Sequence, residues 1–162
     1  MKNYDIVIPL GIFCAASYHL RRNNLQVESY PFDWVGVETV KTGAEIIAND
    51  FKDFFVKERL VPEEGENGNH IPYVQKPENY LFYHCVDKDL TFDEACAKAK
   101  AMFDRRIKRL YENVGKAKNV LFFATHNHPV KEQDAIDAQA ILEKKFPGKN
   151  IDLIAVDCKD FY

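Results

Sequence analysis

The chain has 162 residues, of which 46% are hydrophobic and 29% charged, and its formal net charge is −3 at pH 7. This composition is typical of one globular domain and excludes a disordered or fibrous chain. The slightly acidic balance gives no electrostatic basis for nucleic-acid binding. No stretch approaches the roughly 20 apolar residues of a membrane span, and the first residues lack the pattern of a signal peptide. We therefore expect a single domain over residues 1–162 in the cytoplasm, with neither nucleic-acid nor membrane partners.

The N-terminal residues predict a strand, a tight turn and a helix. Residues 4–10 form a β-branched run, which is typical of a strand buried on both faces, and Gly11 interrupts it. Residues 13–22 follow helical spacing and end in two arginines, which are favoured at a helix C-terminus. This pattern places Cys14 in the first turn of a helix, at the carboxyl end of a strand.

Cys14 has two interpretations at this position. Helix amides and the helix dipole stabilise an anion, so they would lower the pKa of the thiol and favour the reactive thiolate. The crevice at the carboxyl ends of the strands is also where open α/β sheets bind their ligands. Alternatively, Cys14 is a small buried side chain of the core, as cysteines often are.

The next part of the chain predicts short elements and one long loop. Residues 25–30 alternate in polarity and could form a short strand, and residues 36–50 carry apolar residues at helical spacing. Residues 62–79 hold three of the seven prolines and predict a long loop. An aromatic strand over residues 80–84 follows this loop.

The C-terminal half predicts alternating helices and strands. A capping-box pattern begins a helix over residues 91–113, and Gly115 is its expected stop. A strand over residues 119–124, a helix over 132–146 and a strand over 151–156 then make a β–α–β unit. The first strand and helix fit the same scheme. We therefore expect the α/β fold class, as a single layered domain with a mainly parallel sheet flanked by helices.

A cysteine nucleophile needs a base or an ion-pair partner, which is usually a histidine. His84 ends the aromatic strand, and its side chain would meet Cys14 at the top of the sheet if this strand runs parallel to the first. His126, Asn127 and His128 follow the next buried strand, where they could position a base or bind a ligand. The alternative for each histidine is a solvated or capping role.

Metal and anion binding have weaker signals in the sequence. The four cysteines, the last of which is Cys158, are widely spaced and contain no CxxC pair, so a structural zinc site is not expected. His126 and His128 with Cys85 or Asp87 could supply metal ligands, but their spacing is short and no carboxylate motif supports them, so we expect neither a metal nor another cofactor. Without an export signal, we expect all four cysteines to be reduced thiols. Arg105 belongs to a basic helix face, usually solvated, that could meet a phosphate or an acidic partner.

The segment over residues 10–34 resembles the opening of a bacterial family of papain-like cysteine peptidases, a domain of unknown function; it reads LGIFCAASYHLRRNNLQVESYPFDW. The family's pattern is a strand, Leu-Gly-x-x-Cys, a helix ending in Leu-Arg, and Ser-x-Pro-Phe-Asp-Trp. Residues 82–84 are similar to its Phe-x-His element, and residues 105–107 to its Arg-Arg-Ile helix. The resemblance covers about the first 125 residues. The sequence departs from the pattern at Cys85, where the family has an acid, and at residues 125–126, where the family has an arginine.

The resemblance implies a thiol-dependent hydrolase or acyl transferase, with Cys14 as nucleophile and His84 as base. Its substrate would be a small molecule, a peptide or a glycan, since families of this kind are associated with surface-polysaccharide enzymes. A different class remains open, a non-catalytic anion- or glycan-binding module linked to surface-polysaccharide metabolism, in which Gly11, the helix amides and the arginines hold an anion. A second enzyme interpretation gives His126 or His128 the working role, with Cys14 on the oxyanion side.

Asp33 also has two interpretations. It could cap the helix that follows, beside Trp34 as an aromatic residue of the core. Alternatively, Asp33 orients His84 or an arginine near the pocket, as the third member of a catalytic triad does.

Overall fold

The computed structural model describes residues 3–12, 14–65, 68–126 and 129–157. These residues form seven strands and four α-helices, arranged around two sheets. In chain order the elements are β1 (Ile6–Pro9), α1 (Ala15–Arg22), β2 (Val35–Gly36), α2 (Val40–Ala48), β3 (Leu60–Pro62), β4 (His70–Gln75), β5 (Tyr80–Asp87), α3 (Phe92–Lys116), β6 (Asn119–His126), α4 (Glu132–Lys145) and β7 (Asn150–Asp157). Within the described ranges, no helix is both long and apolar enough to cross a bilayer.

The first sheet contains three parallel strands in the order β1-β6-β7. The central strand, β6, is the most buried because both of its edges are paired, and Val120, Phe122 and Ala124 are completely inaccessible to solvent. Helix α1 contacts β1 and β6, whereas α4 contacts β7 and α2. The predicted α/β class and the parallel pairing of β6 with β7 across α4 are therefore confirmed.

The second sheet is antiparallel, with the strand order β2-β5-β4-β3. Strand β4 and the last residue of β3, Pro62, fall within the predicted loop over residues 62–79, so that prediction is wrong over these residues. Pro72 obscured the strand pattern, because a proline removes a ladder donor; here it lies at an irregularity of the pairing, between Ile71 and Tyr73. The aromatic strand, β5, belongs to this sheet and therefore does not run in a common parallel sheet with β1.

Residues 25–30 form no strand, contrary to the pattern in the sequence. The side chain of Gln26 points inward and donates to the buried carboxylate of Asp33. Side-chain hydrogen bonds therefore hold this segment in place of the backbone hydrogen bonds of a β-sheet. The short strand forms further along, at β2. Gly36 of β2 lies close to the turn after β1, because an added Cβ would be 3.6 Å from the Ile12 carbonyl oxygen. The two sheets therefore meet at the carboxyl end of β1.

Helix α3 is the longest element and begins where the sequence predicts. The Thr91 hydroxyl accepts from the Glu94 amide at 3.3 Å, and a carboxylate oxygen of Glu94 accepts from the Thr91 amide at 3.1 Å, so the capping box is confirmed. The helix continues through Gly115 to Lys116, beyond the predicted stop. Its inner face packs on β5 through Phe103, whose ring centroid lies 5.5 Å from that of Phe82.

Two helical glycines provide a matched test of packing at the end of β1. A Cβ added at Gly43 of α2 would clash with the Leu10 carbonyl oxygen, whereas a Cβ at Gly115 would meet nothing within 4 Å. We expect Gly43→Ala to lower the free energy of unfolding by about 2 kcal/mol, since overpacking against backbone cannot relax easily. Gly115→Ala should raise it by up to about 1 kcal/mol. Urea denaturation measures both, and equal effects at the two positions would contradict the close approach of α2 to β1.

Candidate active site

A strained turn connects β1 to α1. Gly11 and Ile12 both have positive φ, at 81° and 78°. Glycine adopts this conformation freely, and a larger residue would be excluded because its Cβ would lie 2.9 Å from the ring of Phe32. Ile12 is β-branched, so its conformation costs about 1–3 kcal/mol, a cost that is typical of functional sites.

Cys14 lies at the N-cap of α1, one position before the helical turn in which the sequence places it. Its side chain is half-buried, and its carbonyl oxygen accepts from the Tyr18 amide at 3.4 Å. Burial raises the pKa of the Cys14 thiol, and its own backbone amide lowers it by a smaller amount. The expected lowering of the thiol pKa is therefore wrong in direction, because loss of water around the thiolate outweighs the stabilisation from the amide.

Tyr83 is the aromatic neighbour of Cys14 that sequence reasoning missed. Burial raises the pKa of the Tyr83 phenol, and the charges of the Cys14 thiolate and of Glu63 raise it further. The phenol therefore lies within electrostatic range of the Cys14 sulfur. The aromatic run over residues 80–84 was visible in the sequence, but which of its side chains turns towards Cys14 depends on the pairing of β5 with β2.

His84 lies on β5 of the antiparallel sheet, next to Tyr83 in the chain. Its ring centroid lies 5.2 Å from that of Trp34 and 6.2 Å from that of His70. Burial lowers the pKa of His84, and the nearby charge of His70 lowers it further. The imidazole is therefore neutral over a wider range of pH than an exposed histidine.

Asp33 is a fully buried carboxylate at the centre of a hydrogen-bond network. Its Oδ1 accepts from Ser17 Oγ at 3.1 Å, and its Oδ2 accepts from Arg21 Nη2 at 2.6 Å. The amide of Gln26 donates to both oxygens, at 2.9 and 3.0 Å. Arg21 also donates to Ser29 Oγ at 2.9 Å. Asp33 thus orients an arginine and joins α1 to the loop that precedes β2.

The capping role considered for Asp33 is wrong. The N-cap of α2 is Thr39, whose hydroxyl accepts from the Thr42 amide at 3.0 Å. The carboxylate of Asp33 instead accepts hydrogen bonds from the side chains of the network described above. Position in the sequence suggested a cap because an acidic residue commonly precedes a helix, but its long-range donors could not be seen from local spacing.

The basic face of α3 divides into structural and accessible arginines. Arg109 donates to the Ser29 carbonyl at 2.9 Å, and Arg106 to the Asp33 carbonyl at 3.5 Å. Both bind the loop that carries Asp33, and burial lowers the pKa of the Arg106 guanidinium. Arg105 is exposed and lines a cavity of ≈ 380 Å³ together with His84 and Cys85.

A smaller cavity of ≈ 180 Å³ lies at the carboxyl end of the parallel sheet. It is lined by Ile12, by Thr39 at the start of α2, and by His126 at the end of β6. His126 thus lies in the crevice that the sequence predicted for ligands. Asn127 and His128, which were predicted to share this role, lie outside the described residues. No cluster of three or more metal-ligating side chains occurs within the described ranges.

The fold and the site define an α/β protein with a cysteine-centred candidate active site at the junction of its two sheets. The chain belongs to the family described as "Putative papain-like cysteine peptidase (DUF1796)", and the match covers residues 5–158. The resemblance seen in the opening segment is therefore confirmed at the level of the family and extends over nearly the whole chain.

A curated relative comes from Acanthamoeba polyphaga mimivirus and is an uncharacterised protein. It is 39% identical over 54 residues, which are 33% of this chain and 24% of the relative. The matched part of the chain thus spans about a quarter of the length of that protein. No solved structure matches the chain.

The Asp33 network should be essential for stability. Arg21→Ala leaves the buried carboxylate short of its cationic partner, and we expect it to lower the free energy of unfolding by about 2 kcal/mol. Arg22→Ala is the matched control, since Arg22 is exposed and, within the part of the chain that the structure describes, its side chain makes only a long contact of 3.5 Å to the Tyr18 hydroxyl. Its effect should stay within about 0.5 kcal/mol. Equal losses in urea denaturation would show that the carboxylate does not depend on Arg21.

Proposed function

We propose that this protein is a thiol-dependent hydrolase or acyl transferase, with Cys14 as nucleophile and His84 as general base. The observation that carries the proposal is the placement of Cys14 at the start of α1, after the strained turn at Gly11 and Ile12, in a chain of the papain-like family. This strand–turn–helix arrangement places a nucleophile at the end of a sheet, where the first amides of the helix stabilise a developing oxyanion.

The electrostatics of the site favour a neutral resting pair. Burial raises the pKa of Cys14 and lowers that of His84, so thiol and imidazole are both uncharged near neutral pH. The nucleophile is then generated during attack, when His84 accepts the Sγ proton as sulfur bonds to the carbonyl carbon. Collapse of the tetrahedral intermediate breaks the bond to the leaving group, which takes the proton back from the imidazolium. Water, or an acceptor nucleophile, then cleaves the thioester.

Asp33 acts as a positioning residue in this scheme. It adjoins Trp34, whose backbone has a φ of 66° and whose indole contacts the His84 ring. Because a bulky residue rarely adopts positive φ, the buried bonds of Asp33 help to hold Trp34 in place. Asp33 thereby orients His84 through Trp34, which is the role of the third member of a catalytic triad.

The substrate class is the less specific part of the proposal. A small molecule, a peptide or a glycan would each present a carbonyl or acyl group to Cys14, and a link to surface-polysaccharide metabolism follows from the family resemblance alone.

The alternative function is a non-catalytic anion- or glycan-binding module. It is favoured by the exposed Arg105 in the cavity of His84. Cys14, Cys85 and Cys96 are free thiols, which suits the cytoplasm.

Acylation by p-nitrophenyl acetate tests the nucleophile. We expect intact-mass and peptide analysis to find one acetyl group, on Cys14, and to find none there in Cys14→Ala. Cys96→Ala is the matched control, because Cys96 is a buried thiol on α3 and its loss should leave the acetylation rate unchanged. If Cys14 reacts no faster than Cys85 or Cys96, the result would contradict the enzyme proposal and favour the binding module.

The base is tested by histidine variants in the same assay. His84→Ala should slow acylation of Cys14 about a hundredfold or more, which is the usual contribution of a general base. His126→Ala should leave the rate unchanged, although this residue lies in the crevice beside Ile12. The opposite outcome, with loss in His126→Ala only, would transfer the role of base to His126.

The pH dependence of acylation follows from the pKa of His84. Only the neutral imidazole accepts a proton, so the rate should fall as pH drops through this pKa, which burial and His70 hold below its ordinary value of about 6.5. His70→Ala removes the charge of one neighbour and should shift the acidic limb to higher pH. His126→Ala should not move it. A pH–rate profile with its acidic limb above pH 6.5, or one that does not respond to His70→Ala, would contradict this assignment.

A further inference from the structure

The cavity that Arg105 lines together with His84 and Cys85 lies on the side of α3. Its volume is ≈ 380 Å³, and it lies between strands β4 and β5 of the antiparallel sheet and the middle of α3. Its chemically active lining consists of His70, His84, Cys85, Asp87, Lys98 and Arg105. The mechanism proposed above uses only one of these six side chains. The others form a polar surface for which the thiol chemistry gives no reason.

The charges of this cavity favour an anion. Asp87 is the one carboxylate of its lining, and that carboxylate is already bound: it accepts from Lys98 Nζ at 3.3 Å, from Asn69 Nδ2 at 3.2 Å and from the Asp89 amide at 3.1 Å. Arg105 makes no ion pair with a carboxylate in the described part of the chain. The cavity therefore offers a guanidinium whose fork of donors is available to a ligand.

The two imidazoles add a second, independent reason. The ring centroids of His70 and His84 are 6.2 Å apart, so charging both rings costs repulsion; burial lowers the pKa of His84 most, and the charge of His70 lowers it further. A bound anion would remove this repulsion and favour the charged, doubly donating form of each ring. The pair of imidazoles therefore favours a negatively charged ligand.

We propose that this cavity binds a small oxyanion group, such as a phosphate, sulfate or carboxylate, between Arg105, Lys98 and the imidazoles of His70 and His84. The site shares His84 with the catalytic proposal but does not need the Cys14 thiol. If both proposals hold, the substrate carries its anionic group beside the general base. That extension rests on the proposed function, whereas anion binding itself does not.

Titration with inorganic phosphate, sulfate and acetate tests the site, with histidine ring resonances observed by NMR. We expect phosphate or sulfate to shift the signals of His70 and His84 with saturation. Arg105→Gln should raise the dissociation constant about tenfold or more, the usual effect of losing one charged hydrogen bond. Lys108→Gln is the matched control: it removes one positive charge from the exposed surface of the same helix, and it should change the constant less than about twofold.

The pH dependence of sulfate binding provides a second readout, because sulfate keeps its charge between pH 6 and 8. The titratable and charged groups around the imidazoles are Tyr83, Cys85 and Asp87 from β5, Lys98 and Arg105 from α3, and, in the proposed mechanism, the Cys14 thiol. Burial raises the pKa of the Cys14 thiol and raises that of Cys85 to about 12, so both thiols stay uncharged in this range, whereas the His84 imidazole gains positive charge as pH falls. Sulfate binding should therefore tighten as pH falls from 8 to 6.

Three outcomes would overturn the site. The histidine signals could remain unmoved, the shifts could rise linearly without saturation, or Arg105→Gln and Lys108→Gln could weaken binding equally, which is expected for general surface charge. Binding of acetate as tight as that of phosphate would identify a carboxylate ligand; much weaker binding of acetate would identify a phosphate or sulfate ester. Cys14→Ala should bind anions normally. If the wild-type protein binds anions but Cys14 is not acetylated ahead of the other thiols, the enzyme proposal alone fails; if Cys14 is acetylated but anions do not bind, this site alone fails.

Discussion

The buried carboxylate of Asp33 is the interaction on which the arrangement of the site depends. It is inaccessible to solvent, and it accepts hydrogen bonds from Ser17, Arg21 and Gln26. An uncompensated charge in this position would be costly, so its donors are held in one geometry. The donors on α1 belong to the helix that begins after Cys14, while Asp33 itself adjoins Trp34, whose ring contacts His84. One buried charge therefore connects the helix of the thiol to the environment of the imidazole.

The site exists because two sheets of different kinds meet. The parallel sheet supplies the end of β1 and the turn into α1, and β5 of the antiparallel sheet carries Tyr83 and His84, the proposed base. Their junction is close, as the approach of Gly36 to the Ile12 carbonyl shows. Such a junction withholds water from the thiol and the imidazole, which explains why burial moves both pKa values towards the neutral forms. In the proposed mechanism, the proton is therefore transferred during attack, without a stable ion pair.

Local signals in the sequence predicted the elements that local physics specifies. The capping box of α3 and the β6–α4–β7 unit were visible because helix caps and apolar periodicity act over a few residues. The hairpin β3–β4 was missed because Pro72 and a pairing irregularity interrupt its alternation. The position of Cys14 at a helix start was predicted to within one residue, but its thiol pKa was not. Burial is a tertiary property, and it outweighed the effect of the helix that the sequence revealed.

The pairing of Cys14 with His84 is the central claim, and a crystal structure of the protein treated with a small aldehyde tests it most directly. A nucleophilic thiol adds to the aldehyde carbon and gives a hemithioacetal that resembles the tetrahedral intermediate. We expect the carbon bonded to Cys14 Sγ, a ring nitrogen of His84 within about 3.2 Å of the adduct, and the Asp33 network intact. An adduct on another cysteine, or an adduct at Cys14 with His84 turned away and another imidazole beside it, would contradict the claim.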